Sequence, residues 1–345
     1  MSEAGRRPRV NWRSLATNYA AVAVLIAFIV VFSLTEPDTF PTLDNFKSIV
    51  ASQSVLGLLA LAAVPPLVVG EFDISIASML GLAAVLTAKL AESGVAVPLI
   101  IVIVLAAGLV VGAINAFLVV KVQLNSLVAT LGTSTILTGF GTLIASGKTL
   151  YEGIGPDILD LASTEVWFMP IGGWYVLIAA TVLWYVLQHT SLGREMYATG
   201  YGRLAARLAG IRTERRIVLA FLLAGLLAGA AGFLNTASLG SATAGVGGGY
   251  LLPAFAAAFL GATTIRAGRF NVWGTVLGLI LLAVGITGLQ LAGAENYVQD
   301  MFNGVALIAA VTLARIGALR ERVSDEETLD EEPPVAAGAG QPSGA

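Results

Sequence analysis

Long apolar runs recur along this chain with only short polar intervals between them, and that spacing limits the possible fold more than any other feature. VPLIIVIVLAAGLVVGAINAFLV at 97–119 and IVLAFLLAGLLAGAAGFLNTA at 217–237 contain no charged residue. A helix needs about 20 predominantly apolar residues to cross a bilayer, whereas soluble domains carry about 25% charged residues. Here only 12% of the 345 residues are charged, and mean hydropathy is +0.84. That is too little charge to cover a water-facing surface, so the chain reads as an all-α, polytopic membrane protein.

Ten spans fit the apolar pattern: 19–35, 51–70, 73–90, 97–119, 125–146, 170–188, 216–237, 250–264, 271–292 and 296–315. Charge then sets orientation, because short cytoplasmic loops carry an excess of Lys and Arg. Lys121, the run Arg194 to Arg216, Arg266, Arg269, Arg315, Arg320 and Arg322 fall on the side of the N-terminal arginines. Glu36, Asp38, Glu92, Glu152, Asp157, Asp160, Glu165 and Glu295 fall on the other. Both termini are therefore expected in the cytoplasm. Residues 1–18 read as a cytoplasmic N-terminal segment, 19–316 as the membrane domain, and 317–345 as a disordered acidic cytoplasmic tail with too little apolar surface to repay ordering. The first apolar run lacks a convincing cleavage pattern and reads as a span.

Each half holds an irregular span. Pro65 and Pro66 remove backbone donors in the second, which runs on into GEFDIS, and the eighth is short, follows GVGGGY and contains Pro253. Interrupted spans in both halves point to a transport pathway, although kinked spans occur in many membrane proteins. The pairs Gly108/Gly112, Gly225/Gly229 and Gly274/Gly278 have the spacing that lets helices approach closely in lipid.

Several kinds of chemistry are excluded. With no cysteine and one histidine, the chain has no disulfide, thiolate metal site or histidine cluster. Gly147-Lys148-Thr149 is not a phosphate loop, because Thr142 stands where its first glycine would be. His189 shows no evident base or nucleophile partner and reads as an interfacial residue. No catalytic spacing rises above chance, nothing points to nucleic acid, and the chain is expected not to be an enzyme or to bind a cofactor.

The most unusual segment is the basic island 189–215, set between two spans. Leu204, Leu208 and Ile211 share one face of a helix while Arg203 and Arg207 share another, with Gly200 and Gly202 before it and Gly210 near its end. Such a loop could simply fix topology. A glycine-bounded amphipathic turn is more than topology needs, however, and favours a docking helix with apolar knobs and arginines around them. Elsewhere, Asn115, Asn125, Ser126, Thr130, Thr133, Ser134, Thr135 and Thr138 could line a hydrated path for a polyol. They could equally bond back to their own helices. Asp73 could cap the following helix. Glu71 stays open, and either carboxylate could carry protons.

TSLGREMYATGYGRLAARLAGI at 190–211 resembles the cytoplasmic loop of permease subunits of ribose-type ABC sugar importers, through Thr190, Leu192, Gly193, Arg194, Tyr197, Ala198, Gly200, Ala205, Ala206, Leu208, Gly210 and Ile211. GEFDISIAS is similar to the family's DLS segment through Gly70, Asp73, Ser75 and Ser78. GAINAFLVVKVQLNSLVATLGT is similar to another stretch through Asn115, Lys121, Thr130, Leu131 and Gly132. The glycine-rich region from 247 resembles a third, but Leu251 replaces the usual Glu, Glu71 a frequent Gly, and Gly261-Ala262 and Ala267-Gly268 weaken later Gly-Gly pairs.

The resemblance implies the permease of an ATP-driven importer for a monosaccharide or similar small polar solute in a bacterial inner membrane. It implies an ABC ATPase that holds ATP and Mg and presses on the 192–211 loop. It also implies a second permease copy, identical or paralogous, and a periplasmic or extracellular sugar-binding protein. Asp73, Ser75, Asn115, Asn125, Thr130 and Thr133 are the expected path residues. Three alternatives remain: a branched-chain amino-acid-type ABC permease, a proton-coupled secondary transporter using Glu71 or Asp73, and a membrane scaffold without transport.

Overall fold

The computed structural model describes residues 12–265 and 268–312, with side chains from residue 21 onward. The expected acidic tail and the first eleven residues lie outside the described residues, as do Arg266, Arg315, Arg320 and Arg322.

The architecture is helical. In order the chain forms α1 (Trp12–Thr35), α2 (Leu43–Val68), α3 (Ser75–Glu92), α4 (Val97–Val120), α5 (Ser126–Ile144) and α6 (Pro156–Ser163). A two-residue hairpin follows, β1 (Glu165–Val166) with β2 (Met169–Pro170). Then come α7 (Ile171–His189), α8 (Ser191–Tyr201), α9 (Arg203–Leu208), α10 (Thr213–Leu239), α11 (Gly248–Ala262) and α12 (Val272–Leu291). Residues 297–312 are helical as well.

Seven of these helices are long and apolar enough to cross a membrane: α2, α3, α4, α5, α7, α10 and α12. Ala21–Thr35 and α11 are shorter apolar helices. Helix α10 is central and packs against α4, α3 and α2. Around it α4, α5 and α7 turn large apolar side chains outward, among them Val102, Phe117, Val128, Phe140, Leu143 and Ile178. Water would penalise such a surface strongly, whereas hydrocarbon accepts it.

Close packing explains the paired glycines. A Cβ at Gly108 would overlap the Gly225 carbonyl oxygen, and one at Gly225 the Gly108 oxygen, so α4 and α10 touch backbone to backbone. Gly274 and Gly278 do the same for α12 against Gly261 and Ala257 of α11. With no hydrophobic drive between helices in lipid, this closeness is what lets dispersion hold them.

Three elements depart from the reading of the sequence. Helix α2 begins at Leu43, well before 51, because Thr42 caps it by accepting from the Asn45 N–H at 3.2 Å and Asp44 favours its positive first turn. The helix also continues through Pro65 and Pro66, which fall in its last turn, and gives way only at Val69. Finally, the acidic stretch after α5 forms α6 and the hairpin, where only a loop was expected.

Candidate functional site

The basic island folds into two short helices: the expected one after Gly202, which ends at Leu208 and leaves Ile211 beyond it, and a second ahead of it. Helix α8 starts where Thr190 accepts from the Gly193 N–H at 3.3 Å, and a side chain at Gly193 would collide with the Leu187 backbone, so the turn from α7 requires glycine. Met196 and Thr199 are buried. Gly200 lies so close to the Val68 carbonyl that a Cβ would overlap it. Arg216 Nε donates to Glu195 at 2.8 Å, fastening α10 to α8. The Tyr197 hydroxyl donates to the Phe270 carbonyl at 2.8 Å, and the Arg269 guanidinium lies 4.8 Å from the Tyr201 ring centre. Helix α8 is thus wedged among α2, α7, α10 and the approach to α12.

Helix α9 sits differently. The chain straightens at Gly202, and within α9 only Ala206 is buried. Leu204 and Leu208 are 73% and 82% exposed, two apolar knobs with none of the described residues over them. The helix closes with a Schellman pattern: the Ile211 N–H bonds to Ala206 and the Gly210 N–H to Arg207, with Gly210 at φ 83°, a conformation that favours glycine. Arg207 Nε donates to the Thr213 hydroxyl at 3.0 Å. Arg203 forms an ion pair with Glu71, whose side chain is nearly buried.

Glu71 belongs to the Gly70–Ile74 turn between α2 and α3, which holds the other expected site residues. The Phe72 N–H donates to Ser126 Oγ and the Ile74 N–H to Thr130 Oγ1, both at 3.2 Å. Asp73 Oδ1 accepts from the Ser75 N–H at 3.0 Å and the Ser75 hydroxyl at 2.6 Å. Asn115 Nδ2 donates to Ser75 Oγ at 2.7 Å. Asp73, Ser75, Asn115 and Thr130 therefore form one buried cluster. Asn125 stands apart and caps α5 by accepting from the Leu127 N–H at 3.0 Å, while Thr133 donates to its own helix at Ala129.

A polar cavity of about 490 Å³ opens between this turn and α9, with Glu71, Gln123, Asn125, Arg203, Arg207 and Glu214 on its walls. The Glu71–Arg203 and Arg216–Glu195 pairs were not visible in sequence, where the partners stand 132 and 21 residues apart. Tyr197 was expected in the loop, but its bond across to Phe270 was not. Among the described residues no group of three or more His, Asp or Glu side chains could hold a metal. His189 is occupied by ring contacts, 4.4 Å from Trp184 and stacked 5.7 Å from Tyr185.

The fold is a bundle of apolar helices of membrane-spanning length, with one packed and one protruding helix in its basic loop. Residues 45–311 match the family described as the permease component of the branched-chain amino acid transport system, and the chain belongs to that family. It is similar to the D-allose transport system permease protein AlsC of Escherichia coli K12, with 31% identity over 317 residues, 91% of this chain and 97% of the relative. It is also similar to the autoinducer 2 import system permease protein LsrD of Escherichia coli K12 and of Shigella flexneri. Each is 31% identical over 324 residues, 92% of this chain and 96% of the relative. No solved structure matches the chain. The chain is a transport permease subunit and not an enzyme; ATP hydrolysis belongs to a separate subunit.

Proposed function

We propose that this permease imports a monosaccharide or a similar small polar solute, driven by ABC ATPase subunits that seat α9 and fed by an external solute-binding protein. The observation that carries it is α9 itself, a short glycine-bounded helix whose Leu204 and Leu208 are exposed among the described residues. Exposed leucines on a basic loop serve no purpose for topology alone. They suit an apolar groove on a soluble partner, with arginines around them to fix register.

The solute class is supported by the relatives named for D-allose and autoinducer 2 import, which the chain matches over almost their whole length. A branched-chain amino-acid solute, suggested only by the wording of the family description, is not favoured beside these relatives. We read the chain as crossing a bacterial inner membrane ten times, a reading supported by the seven long helices taken with Ala21–Thr35, α11 and 297–312. An even number of crossings, with the basic loops inside, would put α9 and both termini in the cytoplasm. Two copies of the permease, identical or paralogous, would enclose the path, with Asn115, Asn125, Thr130 and Thr133 near its cytoplasmic end.

Reconstitution tests this. With the ATPase and binding protein in proteoliposomes, solute should accumulate only when ATP is supplied on the α9 side. Uptake that follows a proton gradient without the ATPase would replace the importer by a secondary transporter using Glu71 or Asp73.

A further inference from the structure

We propose that the Glu71–Arg203 ion pair is the strut that carries motion of α9 into the membrane helices, making Glu71 a positioning residue for transport. The proposal rests on the reading of α9 as the ATPase-facing helix and says how force applied there would leave it.

Helix α9 has six residues, one of them buried, and is bounded by Gly202 and by Gly210 at positive φ. A helix so short has little stability of its own. Pushed at Leu204 or Leu208, it would swivel about the two glycines unless something tied it to the bundle. The Arg207–Thr213 bond ties it only to the start of α10, the next segment of chain. Arg203 reaches much further, to the turn between α2 and α3.

That turn is bonded to the spans on its far side. Glu71 donates its own N–H to the Pro66 carbonyl of α2 at 2.9 Å. Its neighbour Phe72 is held by Ser126, and Ile74 by Thr130, both on α5. Asp73 connects through Ser75 to Asn115 of α4. A displacement of Arg203 is therefore passed to α2, α4 and α5 through one carboxylate. The Glu71 side chain is only 7% exposed, against 45% for Arg203, so the carboxylate has little solvent to replace the guanidinium it would lose. A buried charge without its partner is costly, and this keeps the two groups together as α9 shifts. The polar cavity beside them leaves α9 room to move.

The experiment uses the permease assembled with its ATPase in lipid nanodiscs. Spin labels are placed at Leu34→Cys and Leu143→Cys, both exposed and at helix ends remote from α9, in a chain that has no other cysteine. In the unaltered pair, ATP with vanadate should change the separation of the labels. E71Q should still co-purify the ATPase and hydrolyse ATP, but with the conformational coupling weakened by about tenfold. The exchanged pair E71R/R203E should restore the change, and so should E71D if glutamine at 71 prevents folding.

An undiminished change in E71Q would overturn the strut, as would no change with the native pair. Loss of the ATPase from E71Q would also overturn it, by making the pair part of docking. L208D reports separately on the underlying reading. If that variant still assembles with the ATPase, the assignment of α9 fails, whatever the labels show.

Discussion

Gly278→Ala examines the packing on which the bundle depends. A Cβ built at Gly278 would lie 2.5 Å from the Ala257 carbonyl oxygen and 3.1 Å from Leu260 Cβ. Ordinary contact begins near 3.4 Å, so α11 and α12 must separate by about 0.9 Å, the difference between 3.4 and 2.5 Å. A gap of about 0.5–1 Å forfeits a quarter to a half of each dispersion contact along the seam, and overfilling a packed site costs about 1–3 kcal/mol. Alanine returns up to about 1 kcal/mol of helix propensity. The net expectation is a loss of about 1–2 kcal/mol. Gly139→Ala is the control, because a Cβ there meets nothing within 4 Å; only the propensity gain remains. Unfolding of the purified permease in mixed micelles, followed by tryptophan fluorescence against added SDS, compares the two. If Gly278→Ala were as stable as Gly139→Ala, the close approach of α11 and α12 would be wrong.

Other expectations follow from the same contacts. Asn271→Ala removes donations to the Gly261, Thr264 and Arg269 carbonyls and the cap on the Gly274 N–H, and should cost about 3 kcal/mol or more in the same titration. Gly200→Val should push α8 from the end of α2, lowering ATP-driven uptake while the ATPase still co-purifies; unchanged uptake would show that α8 is not wedged there. Lys47→Ala breaks an exposed 2.6 Å pair with Glu165 and should change stability by less than about 1 kcal/mol.

Much of this architecture could be read from residues alone. The span positions of α3, α4, α7, α10 and α12 followed from uninterrupted apolar runs, and Gly210 marked the end of α9 because only a residue at ease with positive φ closes a helix that way. The paired glycines at 108, 112, 225 and 229 also announced a close contact, though not which helices would meet. What failed to show was whatever depends on tertiary placement. Pro65 and Pro66 looked like a break, yet they lie close enough to the end of α2 that the helix runs through both. Gly202 marked the start of α9, but the helix before it, α8, was not foreseen, and burial of Met196 and Thr199 is what separates their roles. In the acidic stretch from 152 to 165, α6 was hard to see because its apolar positions Ile158, Leu159, Leu161 and Ala162 span barely two turns. The pairing of Glu71 with Arg203 could not be anticipated, since nothing in either residue's local sequence names its partner.

Because the chain contains no cysteine, one cysteine introduced at Leu208 gives a unique handle on the tip of α9. In membranes that also contain the ATPase and binding protein, a short thiol-to-amine cross-linker at this position should join the permease to the ATPase in high yield. The same reagent on a cysteine at Ile178, which faces outward from the middle of α7, should not. Adducts at 208 that contain only phospholipid, with the ATPase present and never captured, would mean that α9 rests on the bilayer surface and that no motor acts through it.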